Sequence, residues 1–389
     1  MNEVILKLNR LRGAGLLSGL LGLALCCIGY VFGRGPFFIS YLFSFAFWTS
    51  LSLGCLYLGM IHYLTGGKWG FPARRIVEAG YMTLPLMALL VVPIFFGLRE
   101  LYPWARPGML LIDKILRQRA AYENPVLFIV RSAVFLTFWT LIGWRLRRWS
   151  LQQDSRSYPA PTIKMRKLSG PCVMAVPLTA SFAYVDWAMT VEPDWSSTIF
   201  PVILLAGQLL ISTTFVIIVL AWFRNDIPFS GFGNKPFQDL GSLLLAFTLF
   251  WTYVAFSQVL LIYSANLPHE ISWYLHRIAN GWVWLVGLIA LFHFFLPFIV
   301  LLFRGVKTHV RLLAIVALFV FAIHAVEMFW VVAPAFYSNI EIHWTDFAAW
   351  FGIGGLWLAI FAGNFKRHPL LALNDPRAEV LMPEIAHAK

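Results

Sequence analysis

Residues 196–222 read SSTIFPVILLAGQLLISTTFVIIVLAW and contain no Asp, Glu, Lys or Arg. As a helix, at about 1.5 Å per residue, this run is long enough to cross the roughly 30 Å hydrocarbon core of a bilayer. A lipid interior offers no water to unpaired peptide groups, so a helix is the conformation such a run adopts there. Besides Ser196, Ser197 and Thr198 at its start, its polar residues, Gln208 and the consecutive Ser212, Thr213 and Thr214, fall inside the run. Nine further stretches have the same character: residues 14–33, 36–64, 80–98, 126–144, 170–190, 239–263, 278–303, 308–333 and 345–363. The expected fold is an all-α integral membrane protein of about ten transmembrane helices.

Composition agrees. Of 389 residues 60% are hydrophobic and 12% charged, whereas a soluble domain carries roughly 25% charged residues. The aromatic share of 17% suits rings packed in lipid and at its two interfaces. A net charge of +12 would fit nucleic acid, but the basic residues sit in short loops between apolar runs, the pattern left by membrane insertion. Four cysteines, Cys26, Cys27, Cys55 and Cys172, lie in apolar stretches without C-x-x-C, C-x-x-C-H or zinc spacing. Thiol chemistry, covalent haem and cluster ligation by this chain are therefore not expected, nor is a metal site.

Lys7, Arg10 and Arg12 before the first apolar run resemble the start of a signal peptide. The run continues to Phe32 without a good cleavage site, which reads as a retained first helix. Most of the 30 Lys and Arg residues fall on one side if both termini are cytoplasmic, and an odd number of helices would scramble that asymmetry. Residues 99–125 break the trend. Apolar and basic residues there recur at helical spacing from Arg106 to Arg119, as in a helix lying in the interface that packs on the bundle or docks a partner. No long linker, repeat or low-complexity tract interrupts the chain, and residues 366–389 read as a polar tail.

Ionisable side chains at membrane depth cost about 3 kcal/mol on insertion scales, which marks each as a functional candidate. Asp186 lies about a turn from the outer end of the fifth helix, and Arg131 is in the outer third of the fourth. His324 and Glu327 share a face of the ninth by their i, i+3 spacing. Gln208 and His293 are near mid-membrane. His62 and the hydroxyls of Ser212, Thr213 and Thr214 lie towards the inside. Carboxylates and imidazoles that titrate, bridged by hydroxyls, suit a proton path. The competing reading is structural, with Arg131 paired to Asp186 or Glu327 and the histidines bonded across helices. For His293 that plainer role is favoured. His293 and His324 as a bis-histidine haem pair is a weak alternative, because their depths differ.

Several stretches, taken in order, resemble one family. They are Ser40-Tyr41-Leu42, Thr65-Gly66-Gly67-Lys68-Trp69, Arg74-Arg75-Ile76-Val77-Glu78, Leu101-Tyr102-Pro103-Trp104-Ala105 and Tyr122-Glu123-Asn124 leading to Arg131. DWAMTVEPDWSSTIF from Asp186 to Phe200 follows, then Phe256-Ser257-Gln258 and NLPHEISWYLHR from Asn266 to Arg277. Together they resemble the ActF-type membrane subunit of alternative complex III, a bacterial quinol:electron-acceptor oxidoreductase, over residues 40–363. The resemblance implies an NrfD-like fold of two four-helix bundles, residues 36–195 and 196–335, with flanking helices in residues 1–35 and 336–365. It also implies a bacterial inner-membrane location and partners: a sister NrfD-like subunit, an iron–sulfur subunit, multihaem and monohaem cytochrome c subunits and small membrane subunits. Haem c and iron–sulfur clusters would belong to those partners, and no cofactor to this chain.

The role expected on that basis is proton conduction, with Asp186, Glu327, His324 and Arg131 at its core and His62, Ser212, Thr213 and Thr214 as an inner segment. Glu192, Asp194, Glu270, His276 and Arg277 would form an outer-surface or quinone site, and no residue here would be catalytic. Two other readings compete: a secondary transporter with buried carboxylates, which would more often show paired helix breaks in two repeats, and a purely structural anchor of a redox complex.

Overall fold

The computed structural model describes residues 2–154, 159–226, 228–372, 374 and 375. Among the described residues there is no strand, and ten helices are long and apolar enough to cross a membrane. They are α1 Glu3–Phe32, α2 Arg34–Thr65, α3 Gly70–Phe96, α4 Pro125–Gln152, α5 Ala160–Met189, α6 Phe200–Phe223, α7 Lys235–Ala265, α8 Trp282–Leu302, α9 Val310–Ala335 and α10 Trp344–Lys366. The protein is a multi-pass all-helical membrane protein. Ten crossings put the start of α1 and the end of α10 on one side, termed here the terminal side; the opposite side is distal.

Span α2 is the axis of the molecule. Every residue from Phe37 to Met60 is buried, and α3, α5, α6, α9 and α10 all pack on it. Span α4 lies on α3 and α5, α6 on α7 and α9, and α8 between α7 and α9. Apolar surface gains little from leaving lipid, so close backbone approach and hydrogen bonds must hold such helices together. Gly54 supplies one such approach: a Cβ there would fall 1.9 Å from the Gln208 carbonyl oxygen of α6. The α1–α10 pair supplies another, with Gly15, Gly19 and Gly22 set against Gly352 and Gly355; a Cβ on Gly22 would lie 2.4 Å from the Gly352 Cα.

The sequence-derived boundaries hold best for α2 and fail by about ten residues at the starts of α1, α5 and α3. That helix begins at Gly70 rather than near residue 80, because Arg74, Arg75 and Glu78 form a turn and a half of buried helix. Likewise α5 begins at Ala160, so most of the basic segment between α4 and α5 is helical; residues 155–158 of it lie outside the description. The interfacial segment is not one helix. It forms a 3-10 turn Pro103–Ala105 and two short helices, Met109–Ile112 and Lys114–Arg119, divided at Asp113, whose carboxylate caps Ile115 N–H at 2.7 Å. In the expected polar tail, Leu370, Leu371, Ala372 and Asp375 are buried; Pro376 and Pro383 lie outside the described residues.

Candidate functional site

Two buried carboxylates lie in the distal half, each beside a π-helical turn. Such a turn inserts one residue into the ladder and re-aims side chains, and it recurs at functional sites. In α5 the π turn Val185–Met189 carries Asp186. Its carboxylate accepts two hydrogen bonds from Arg131 of α4, Nε to Oδ2 at 2.7 Å and Nη2 to Oδ1 at 3.1 Å. Arg131 also donates to the Tyr122 carbonyl at 2.9 Å and lies 3.8 Å from the centre of that ring. Arg131 thus chooses Asp186 over Glu327. Trp187, next in the turn, donates to Ser132 Oγ at 3.0 Å and accepts from Tyr102 through its carbonyl at 3.0 Å, which fixes the turn on α4 and the distal loop.

In α8 the π turn Ala290–Phe295 carries His293. Glu327 of α9 is hydrogen-bonded to His324 Nδ1 at 2.7 Å through Oε2, and His293 Nδ1 lies 3.2 Å from the same oxygen without hydrogen-bond geometry. Its Oε1 accepts Trp251 Nε1 of α7 at 2.8 Å. Three helices therefore converge on one carboxylate. His293 and His324, weighed from sequence as a haem pair, instead share Glu327 with ring centres 5.6 Å apart. Gly207 of α6 closes the chamber, since a Cβ there would sit 2.6 Å from His324 Cε1.

The ligand-type atoms of His293, His324 and Glu327 lie within 4.8 Å of one another. Two imidazoles and a carboxylate are a donor set suited to zinc or iron(II). Here one Nδ1 is hydrogen-bonded to Oε2, the other lies 3.2 Å from it, and Oε1 is taken by Trp251. His293 Nε2 and His324 Nε2 are buried and accept or donate to no described side chain, so each has capacity for water or a proton.

Between the two carboxylates and the terminal side, small polar groups line α2. Ser50 Oγ lies 2.6 Å from Tyr184 Oη of α5, which donates to the Ala46 carbonyl at 2.8 Å, and Gln208 of α6 is buried with its Oε1 unpaired. One residue pair further along, Ser52 Oγ meets Thr83 Oγ1 at 2.7 Å and accepts Trp357 Nε1 at 2.8 Å. Thr83 donates to Gly80, at the end of the helical turn that carries Glu78. The sequence-predicted inner segment is arranged differently. Ser212 and Thr213 donate to the Leu209 carbonyl at 3.0 and 2.8 Å, and Thr214 to Ile211 at 2.7 Å, which leaves only their lone pairs for outside partners. His62 is buried against Trp69 at 5.6 Å, and Gly70 makes room for its ring.

The terminal-side end of the track is an ion network that sequence reading did not single out. Glu78 receives Arg74 Nε at 3.0 Å, Arg75 Nη1 at 2.7 Å, Arg147 Nη1 at 3.3 Å and Tyr63 Oη at 3.0 Å, and it is bonded to Ser150. Asp154 pairs with Arg75 and Asp375 with Arg74 at 2.7 Å, so three guanidiniums meet three carboxylates. The signal is the Arg-Arg-x-x-Glu spacing, about one helical turn, in residues 65–79 between the expected spans 36–64 and 80–98.

On the distal surface Arg277 and Glu192 pair at 2.7 Å, with Arg277 flat on Trp273 at 3.7 Å and His276 3.6 Å from Glu192. Burial pushes the Arg277 guanidinium down to about 10, with Glu192 opposing, so it stays charged at neutral pH. Asp194 is exposed and stands apart from this group. Glu270 also stands apart: its carbonyl receives Trp195 Nε1 at 3.0 Å, and it borders a cavity of about 760 Å³ between α5 and α7.

No protein-family model and no curated protein matches this chain. Its geometry is that of an integral membrane protein with charged residues buried in its distal half and at its terminal side.

Proposed function

We propose that this chain conducts protons part or all of the way across the membrane, as a membrane subunit of a quinol:electron-acceptor oxidoreductase of the alternative complex III type. The observation that carries the proton role is Glu327 bonded to His324 and an indole, with His293 of a π turn 3.2 Å away and Asp186 on a second π turn across the molecule. A buried carboxylate bonded to one imidazole and close to a second offers a proton more than one place to sit, which is what a relay needs. The α2 track of Ser50, Tyr184, Gln208, Ser52 and Thr83 supports continuation towards Glu78. In this reading the terminal side is cytoplasmic, as the distribution of Lys and Arg favours.

The complex itself rests on the resemblance of the motifs around Asp186 and Arg277. Redox centres would then be held by haem- and cluster-bearing partners, and this chain would move protons while they move electrons. A second reading is favoured by an apolar slot of about 420 Å³ lined by Trp251, Tyr274, Phe295 and Glu327. It would admit a flat quinol headgroup and make Glu327 the acceptor of a quinol proton. Purification of the tagged chain from its native membranes tests the assignment. It should arrive with c-type haem and quinol-oxidising activity, and the chain expressed alone should show no Soret band. A transporter would be purified alone, and a stoichiometric haem on the isolated chain would overturn the division of labour.

A further inference from the structure

At the terminal side, the ends of α4 and α10 enclose a cavity of about 570 Å³. Arg147, Arg148, Arg367 and His368 line it over an apolar floor that includes Met82 and Trp144, and no carboxylate lines it. Arg147 is already committed, to Glu78 at 3.3 Å and to the Asn364 carbonyl at 3.0 Å. Arg148 and Arg367 are exposed, and among the described residues neither has a carboxylate at ion-pair distance. Arg148 instead lies 5.4 Å over the Trp144 ring. The surplus charge is felt locally: burial and the cations Arg147, Arg75 and Arg367 hold the His368 imidazole below its ordinary range, with only Glu78 opposing.

Depth decides what kind of anion fits. Trp144 is 43% exposed on the outer face of α4 and Leu141, a turn earlier, is 54% exposed, so apolar surface runs from the cavity towards mid-membrane. Arg145 over Trp149 at 5.8 Å and Arg148 over Trp144 form a belt of cation–aromatic pairs of the sort found at headgroup level. A ligand for this place needs a phosphate for the guanidiniums and hydrocarbon for the α4 face. Basic pockets between spanning helices take such headgroups. We propose that the cavity binds the phosphate of an anionic diacyl phospholipid, gripped by Arg148 and Arg367 with its chains along Leu141 and Trp144. A lipid so placed ties α4 to α10 beside the Arg147–Glu78 contact.

The test uses the full chain in a neutral maltoside detergent, titrated with phosphatidylglycerol and with phosphatidylcholine of identical chains, bound lipid being counted by native mass spectrometry. Phosphatidylglycerol should be retained at least about tenfold better, and an Arg148→Gln/Arg367→Gln variant should lose that preference. Arg145→Gln, one turn away and outside the cavity, should keep it, which separates the site from general surface charge. Both cavity arginines are exposed and lack carboxylate partners, so the double variant should melt as wild type does in phosphatidylcholine. Should it fail to fold, Arg148→Lys/Arg367→Lys should keep charge and a weaker preference. Equal retention of the two lipids, or an undiminished preference in the double variant, would overturn the proposal. Displacement of bound phosphatidylglycerol by equimolar inorganic phosphate would also overturn it, since the site would then take a free anion.

Discussion

Glu123 sits just before α4, 6% exposed, with Arg119 3.7 Å away and its Oε2 without a partner. Burial raises its pKa, Arg119 opposing. A carboxyl raised on folding binds its proton more tightly in the folded protein, so it favours folding below the ordinary carboxylate range and that contribution is lost as pH rises through the raised value. Glu123→Gln should therefore melt a few degrees above wild type at pH 7 and level with it near pH 4; a pH-independent difference in melting temperature would contradict this. Glu78→Gln should act in the opposite direction. It leaves Arg74, Arg75 and Arg147 buried with one carboxylate fewer, and breaking a buried pair costs about 3–5 kcal/mol. The purified variant should melt well below wild type, whereas an unchanged melting temperature would show the network to be dispensable. The sequence exposed some residues of this kind and hid others. Asp186, Arg131, His324 and Glu327 were visible as charges at depth, but His293 looked like an ordinary core histidine. Only the π turn at Ala290–Phe295 turns it onto Glu327, and a one-residue bulge leaves no mark in a hydropathy pattern.

Among elements, the existence of ten spans was legible because each apolar run is about as long, as a helix, as the hydrocarbon core is thick. The beginnings of α3 and α5 were not. Charged residues read as solvated, yet Arg74, Arg75 and Glu78 are neutralised by Arg147, Asp154 and Asp375, which arrive from other parts of the chain. The glycine seam of α1 with α10 is the element-level contact most open to test. Leucine at Gly22 cannot fit where a Cβ would already lie 2.4 Å from the Gly352 backbone. Gly22→Leu should push α1 from α10 and cost about 1–3 kcal/mol, as overpacking does. Cysteines placed at positions 18 and 351, where Ser18 Oγ bonds to the Phe351 carbonyl at 3.2 Å, should crosslink in an otherwise cysteine-free protein and fail to do so in the Gly22→Leu background. Equal crosslinking would mean that the two helices are held by something other than this seam.

Across the whole molecule, the polar layers are ordered along the membrane normal: the Arg277–Glu192 pair at the distal surface, Asp186 and Glu327 beneath it, the α2 hydroxyls in the middle and the Glu78 network at the terminal side. Each layer alone has a structural explanation; their alignment along one buried helix is what favours a path. The measurement that bears on this most directly is the number of protons released per electron during quinol oxidation, with the complex that contains this chain reconstituted in liposomes. Asp186→Asn and Glu327→Gln keep shape and most hydrogen bonds while removing a titrating group. Each should assemble with full haem content, oxidise quinol, and release protons at a ratio well below wild type, while Asp194→Asn, exposed and apart from both carboxylates, should leave the ratio unchanged. Wild-type ratios in both assembled variants would contradict proton conduction through this chain.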